Sequence, residues 1–163
     1  MDKAKAYRTH VESILYALKH RKKIHVPGRF VVHHATGVFG HVVTESDIQR
    51  EEVIDLLAEW RKKSSHWFPT QFPVTKEGTK TWAKTQLIDA PDRILFFLTA
   101  QTHHMPFGHM GLYRFDYYQR VCEIDNILRG VDTPDTKGAM TASVQQLIDW
   151  AQQYLGVRRL ALR

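Results

Sequence analysis

Apolar residues recur along this chain in two rhythms, every three to four positions and every second position, and their order outlines the fold. Between about residues 3 and 22, Tyr7, Val11, Ile14, Leu15 and Leu18 fall on one face of a helix. Val26-Pro27-Gly28 ends it. "RFVVHH" and "GHVVT" then read as two short strands around a Thr36-Gly37 turn. Ser46 and Gln49 have the spacing of a capping box, and they head a second helix with Val53, Ile54, Leu56, Leu57 and Trp60 on its apolar stripe. That helix frays at Ser64-Ser65. The two-proline loop "HWFPTQFPVT" follows, and then a short third helix over about residues 76–87.

The rhythm then changes. "RILFFLTA" at 93–100, "FGHMGLYRF" at 107–115 and "RVCEIDNILR" at 120–129 read as three strands joined by short turns, an antiparallel meander. A last helix over about 139–155 turns Val144, Leu147, Ile148, Ala151 and Leu155 inward, stops at Gly156, and leads into the strand "VRRLALR". The step from the third meander strand through this helix is long enough for a parallel crossover. The expected fold class is therefore α/β: a mixed, mainly antiparallel central sheet with helices on both faces. In such folds ligands sit beyond the strand ends, beside a helix N-terminus. The loop Thr136-Lys137-Gly138-Ala139-Met140 opens the last helix there, and its backbone N–H groups suit an anion. An isolated glycine is also ordinary punctuation, so the loop alone decides nothing.

Composition narrows the classes. A chain of 163 residues with 43% apolar content forms one soluble globular domain with a real core. The net charge of +6 is local: residues 1–23 hold seven lysines and arginines against two acidic residues, leaving an excess of one for everything after. A nucleic-acid binder would carry its basic surface on the folded body, so the basic N-terminal helix reads as solvated or partner-facing. No apolar run reaches the roughly 20 residues that span a bilayer, and "MDKAKAYRTH" lacks the apolar core of a secretory signal. Cys122 is the only cysteine, which rules out an internal disulfide and points to a reducing cytoplasm.

From about residue 40 to 163 the chain resembles the GCN5-related N-acetyltransferase (GNAT) family. The resemblance is carried by "FGHMGLYRFD", "CEIDNILRG" and "TKGAMTASVQQLIDWAQQYLGVRRLAL". It implies acetyl-coenzyme A as acetyl donor. The pantetheine arm would run beside Ile127, Leu128 and Arg129, and the pyrophosphate would lie on the loop amides of Thr136, Lys137, Gly138, Ala139, Met140 and Thr141. The family's loop pattern is Q/R-x-x-G-x-G/A. Here Asp135 replaces the basic or amide residue and Met140 the small one; Gly138 matches. Residues 1–39, a basic helix and short strands, lie outside the resemblance. The family also continues beyond this last strand with a helix, often carrying a tyrosine that protonates the leaving thiolate, and two more strands. The expectation is that a further segment, or a partner such as a second copy, completes the cleft.

Acetyl transfer to an amine needs a base, a donor to the thioester carbonyl, and a pocket that holds the amine. Alternation along "CEIDNILR" puts Glu123 and Asp125 on one face and Cys122 and Ile124 on the other. Two carboxylates on one face of a central strand either work as a base pair or are bonded to Arg93, Arg114 or water; repulsion between them would raise the pKa of one. The family often places its base at the position of Glu123. The carbonyl donor is expected after a strand irregularity near Asn126 and Ile127. The acceptor pocket is expected from Trp67, Phe68, Phe72, His109 and Tyr113, whose aromatic faces and polar tips suit a sugar ring or a peptide terminus. His33-His34 and His103-His104 lack acidic or cysteine partners at metal-ligand spacing, so no metal is expected. The resemblance leans toward an amino sugar nucleotide as acceptor, with a protein N-terminus as the other option. A non-catalytic member that binds coenzyme A or a protein is the competing reading.

Overall fold

The computed structural model describes residues 2–70 and 72–162. Helix α1 spans Lys3–Lys19 and is capped by Asp2, whose carboxylate accepts from the Ala4 amide at 3.0 Å. It ends earlier than its pattern predicts, with Arg21 in the left-handed conformation at φ 54° and the Lys22 amide donating back to the Ala17 carbonyl at 2.8 Å, and Lys19 turns inward. The buried ammonium donates to the carbonyls of Leu87 (3.2 Å), Ala90 (2.5 Å) and Arg93 (2.8 Å), and burial pushes its pKa down to about 8.

Strands β1 (Arg29–His33) and β2 (Val38–Val42) form the predicted hairpin. Helix α2 (Glu45–Ile48) is headed by a capping box, but by Thr44 and Asp47 rather than Ser46 and Gln49. The earlier pair wins because Gln49 is already the C-cap of that short helix; the chain restarts at Arg50 as α3 (Glu51–Lys63). With Glu51 and Glu52 in the first turn of α3 and Arg61, Lys62 and Lys63 in its last, its charges complement the helix dipole. Helix α4 (Lys76–Trp82), capped by Thr75, widens into a π-helical turn over Ala83–Ile88.

Strands β3 (Ile94–Ala100), β4 (Gly108–Asp116) and β5 (Val121–Arg129) make the antiparallel meander. Helix α5 (Ala139–Trp150) continues through a π-helical turn, Ala151–Leu155, to Gly156 in the left-handed conformation. Strand β6 (Arg159–Leu162) then pairs parallel to β5. The six strands lie in sequence order in one mixed sheet, antiparallel except for β5–β6.

β3 is buried on both faces, as its unbroken apolar run requires. Ile94, Phe96 and Leu98 join α1 and α5 in one core; Leu95 and Phe97 join α2, α3 and α4 in the other. Residues 1–39 thus supply β1 and the start of β2 to the same sheet and pack α1 on it, so that Val11 and Leu15 share a core with Leu147 and Leu155. On α5 the buried line runs through Ala139, Ser143, Leu147, Trp150, Ala151 and Leu155, with Val144 and Ile148 only partly covered. Trp150 is held there because its indole N–H donates to the Pro27 carbonyl at 2.9 Å. Among the described residues no helix is long and apolar enough to cross a membrane.

Candidate active site

The site begins at a fault in the sheet. His109 lies opposite Leu128 and Gly111 opposite Asp125, so β5 takes three steps where β4 takes two. This bulge puts Asn126 at φ 53°, a conformation asparagine tolerates better than most residues. Side chains hold it from both sides. Asp125 Oδ1 accepts from the Asn126 amide at 2.7 Å, and Oδ2 accepts from Arg93 Nη2 at 2.8 Å. His109 Nδ1 lies 2.6 Å from the Asn126 carbonyl. A carbonyl only accepts, so Nδ1 carries the proton and Nε2 keeps its lone pair. Full burial pushes the His109 pKa down to about 4, so the ring is neutral near pH 7.

β6 pairs with Val121–Ile124 and no further among the described residues. Ile127, Leu128 and Arg129 lie beyond that stretch on β5. Gly130 follows, and a Cβ there would collide with the Trp60 indole, so glycine lets α3 close against the end of β5.

On the face covered by α3 and α4 a cleft of about 610 Å³ opens beside the bulge. Asn126, Ile127 and Leu128 line one side of it, and Trp67, Phe68, Phe72 and Trp82 supply aromatic walls. Phe68 and Phe72 stack at 5.6 Å, and Trp67 is 79% exposed at the mouth. Two arginines enter the lining. Arg61 sits 4.5 Å from the Trp82 ring centre and 5.5 Å from that of Phe72, and donates to Thr79 at 3.1 Å. Arg93 lies 4.1 Å over the Tyr113 ring.

Most of the predicted acceptor residues meet here: Trp67, Phe68, Phe72 and His109 line the cleft, while Tyr113 stands behind Arg93 rather than in the lining. The two carboxylates do share a face, but each meets an arginine. Asp125 is paired to Arg93, and Glu123, in register with Tyr113, lies 3.7 Å from Arg114 Nη1. Glu123 stands outside the cleft lining, two residues short of the bulge. Cys122 is buried in the core, where desolvation and then the nearby Glu123 push its thiol up to about 12. Sequence reasoning missed Arg61, Trp82 and Gln86 altogether. Arg61 follows a core tryptophan at the end of a helix, where a cation reads as dipole compensation; only the aromatic run downstream hinted that it would be roofed over.

The loop before α5 makes a 3₁₀ turn at Pro134–Thr136, closed by Thr133 and Thr136. Asp135 bonds to Thr102, to Thr133 and to His103 Nε2 at 3.0 Å, contacts that hold its carboxyl well below the ordinary carboxylate range and pin the loop to the β3–β4 turn. Its charge is thereby engaged at the turn. Met140 is part-buried on the core and its sulfur packs toward Gly108, so it does not crowd the loop's outer side. Gly138 caps α5 at φ 75° with no side-chain bond, and a Cβ there would meet nothing within 4 Å. The first amides of α5 have no intrahelical acceptors, and no side chain of the cap covers them. The open space and the bare amides fit a pyrophosphate.

The family model described as an acetyltransferase (GNAT) domain matches residues 43–163. This chain belongs to the GNAT acetyltransferase family. The match begins at the end of β2 and takes in the bulge, the cleft and the α5 loop. Solved GNAT-like structures agree in fold. One is a probable acetyltransferase of the GNAT family from Chromobacterium violaceum, 19% identical, with a TM-score of 0.61 over 80% of this chain and 63% of that one. A second is an acetyl transferase from Salmonella typhimurium that modifies the N-terminal serine of ribosomal protein L7/L12, 14% identical, TM-score 0.60, covering 82% of this chain and 73% of that one. A third is spermidine N-acetyltransferase from Vibrio cholerae in complex with CoA and spermine, 16% identical, TM-score 0.57, covering 77% and 70%. The chain thus spans less than two thirds of the Chromobacterium protein. No curated protein matches it in sequence.

Proposed function

We propose that this chain is an acetyl-coenzyme A-dependent N-acetyltransferase acting on a primary amine held in the aromatic cleft. The observation that carries this reading is the β5 bulge, because it brings Asn126, Ile127 and Leu128 into the lining of the acceptor cleft. The donor supplies an acetyl thioester, and the amine nitrogen bonds to the carbonyl carbon as the carbon–sulfur bond breaks. The chain's own groups do the rest. Main-chain amides at Gly138–Thr141, with Lys137 beside them, hold the pyrophosphate. Ile127, Leu128 and Arg129 align the pantetheine arm.

The Asn126 amide is already given to Asp125, which makes the Ile127 amide the carbonyl donor. Glu123 takes the ammonium proton through a water, since it stands outside the cleft lining. Asp125 anchors Arg93 and the bulge. Trp67, Phe68 and Phe72 hold the acceptor, which the aromatic walls fit as a sugar ring of an amino sugar nucleotide or as a peptide terminus.

A second reading has one observation behind it: Glu123 is 3.7 Å from an arginine and outside the lining, as it could be in a module that binds coenzyme A without transferring its acetyl group. Release of free coenzyme A thiol in the presence of primary amines decides between them. Amine-dependent release supports the transferase. Saturable acetyl-coenzyme A binding with no release from any amine leaves the binding module.

A further inference from the structure

The cleft's charge says more about its occupant than its shape does. Arg61 is part-buried, set against the rings of Phe72 and Trp82 and tied to Thr79 through one Nη1 bond. Among the described residues it has no carboxylate partner; its only side-chain hydrogen bond is to a neutral hydroxyl. Burial without an opposing charge pulls its pKa downward. Arg93, also in the lining, spends Nη2 on Asp125, while its buried Nε has no hydrogen-bond partner among the described residues. Among the described residues no acidic one lines the cleft. Counting the Asp125 carboxylate behind Arg93, the lining carries one uncompensated positive charge. A guanidinium that is desolvated but unpaired is unfavourable until an anion meets it, and its planar fork suits a carboxylate or a phosphate.

We infer that the acceptor is an amine carrying a second, anionic group, a carboxylate or a phosphate, which Arg61 receives while the amine points to the β5 bulge. The aromatic walls take the part of the molecule between the two ends. A polyamine, such as the spermine held by the Vibrio cholerae enzyme, would set its second cation against Arg61 and is excluded.

This inference rests on the transferase reading, and calorimetry separates the two. The probes are glucosamine 6-phosphate against glucosamine, 4-(2-aminoethyl)benzoate against phenethylamine, and spermidine. At least one anionic member should bind tenfold or more tightly than its counterpart, with the advantage shrinking as salt rises; the pair that responds tells phosphate from carboxylate. Arg61→Gln should erase that advantage, and Arg61→Lys should restore part of it. The Arg61→Lys variant also controls for lost packing against Phe72 and Trp82. Equal binding within both pairs, tighter binding of spermidine, or an advantage that survives Arg61→Gln overturns the inference. Acetyl-coenzyme A titrated into the same protein reports the underlying reading. Binding of the donor but of no anionic amine refutes this inference alone, whereas binding of an anionic amine without the donor refutes the transferase and upholds the anion site.

Discussion

The loop that opens α5 is built of backbone, whereas the cleft across β5 is built of side chains. In the loop, Gly138 sits at φ 75° with open space around it, Met140 turns to the core, and Asp135 is tied to the β3–β4 turn. What the helix start offers is its first backbone amides, with no side-chain bond from the cap, which any sequence able to make the turn would provide. In the cleft the opposite holds: Arg61 between two rings, Arg93 on Asp125, His109 on a carbonyl, each part defined by its chemistry. A backbone site tolerates side-chain change and fails when the chain's path changes. A side-chain site fails one residue at a time.

The comparison can be broken from the cleft side first. Glu123→Gln should lower kcat by about 100-fold or more, the scale of general-base catalysis, while acetyl-coenzyme A still binds; unchanged turnover would remove Glu123 as base. Arg93→Met should be next. It strips Asp125 of its partner beside the bulge and should lower unfolding free energy by about 2 kcal/mol, below the cost of breaking a fully buried pair because Asp125 is 36% exposed. Urea denaturation reads this, and a loss under 0.5 kcal/mol would show the bulge standing without the pair.

On the loop side, Gly138→Val should weaken acetyl-coenzyme A about tenfold, since a β-branched residue at that φ costs about 1–2 kcal/mol unless the loop rearranges. Lys137→Ala should cost only about threefold, because amides rather than the ammonium carry the site. If the two effects were reversed in size, the loop would be a side-chain site after all. The smallest effect is on pH. His109 has its folded pKa near 4, below the ordinary value of 6.5, so the unfolded chain binds the extra proton between those values. Stability should therefore fall as pH drops from about 6.5 to 4, and His109→Gln should flatten that slope in thermal melts across the same range.

Much of this was legible in the sequence, and the reason differs by region. The meander, the crossover and the α5 loop were readable because each rests on local periodicity or on one glycine between a strand and a helix. The capping box was misassigned because two candidates overlap within six residues, and only the break at Gln49–Arg50 chooses between them. Glu123 and Asp125 were put on one face with Arg93 and Arg114 offered as partners from charge alone, and those arginines, Arg93 just before β3 and Arg114 on β4, do meet them. Such pairings are long-range and leave no periodic trace. Arg61 was invisible for the same reason: the rings that cover it, Phe72 and Trp82, lie 11 and 21 positions along the chain. Tyr113 was read as pocket lining from residue type alone, and Arg93 lies over it instead.

The most direct measurement is a calorimetric titration of acetyl-coenzyme A into the native chain and into Gly138→Val. The account predicts saturable one-to-one binding to the native protein, competed by coenzyme A and weakened about tenfold by the valine. No binding at saturating donor, or equal binding to both proteins, would contradict it.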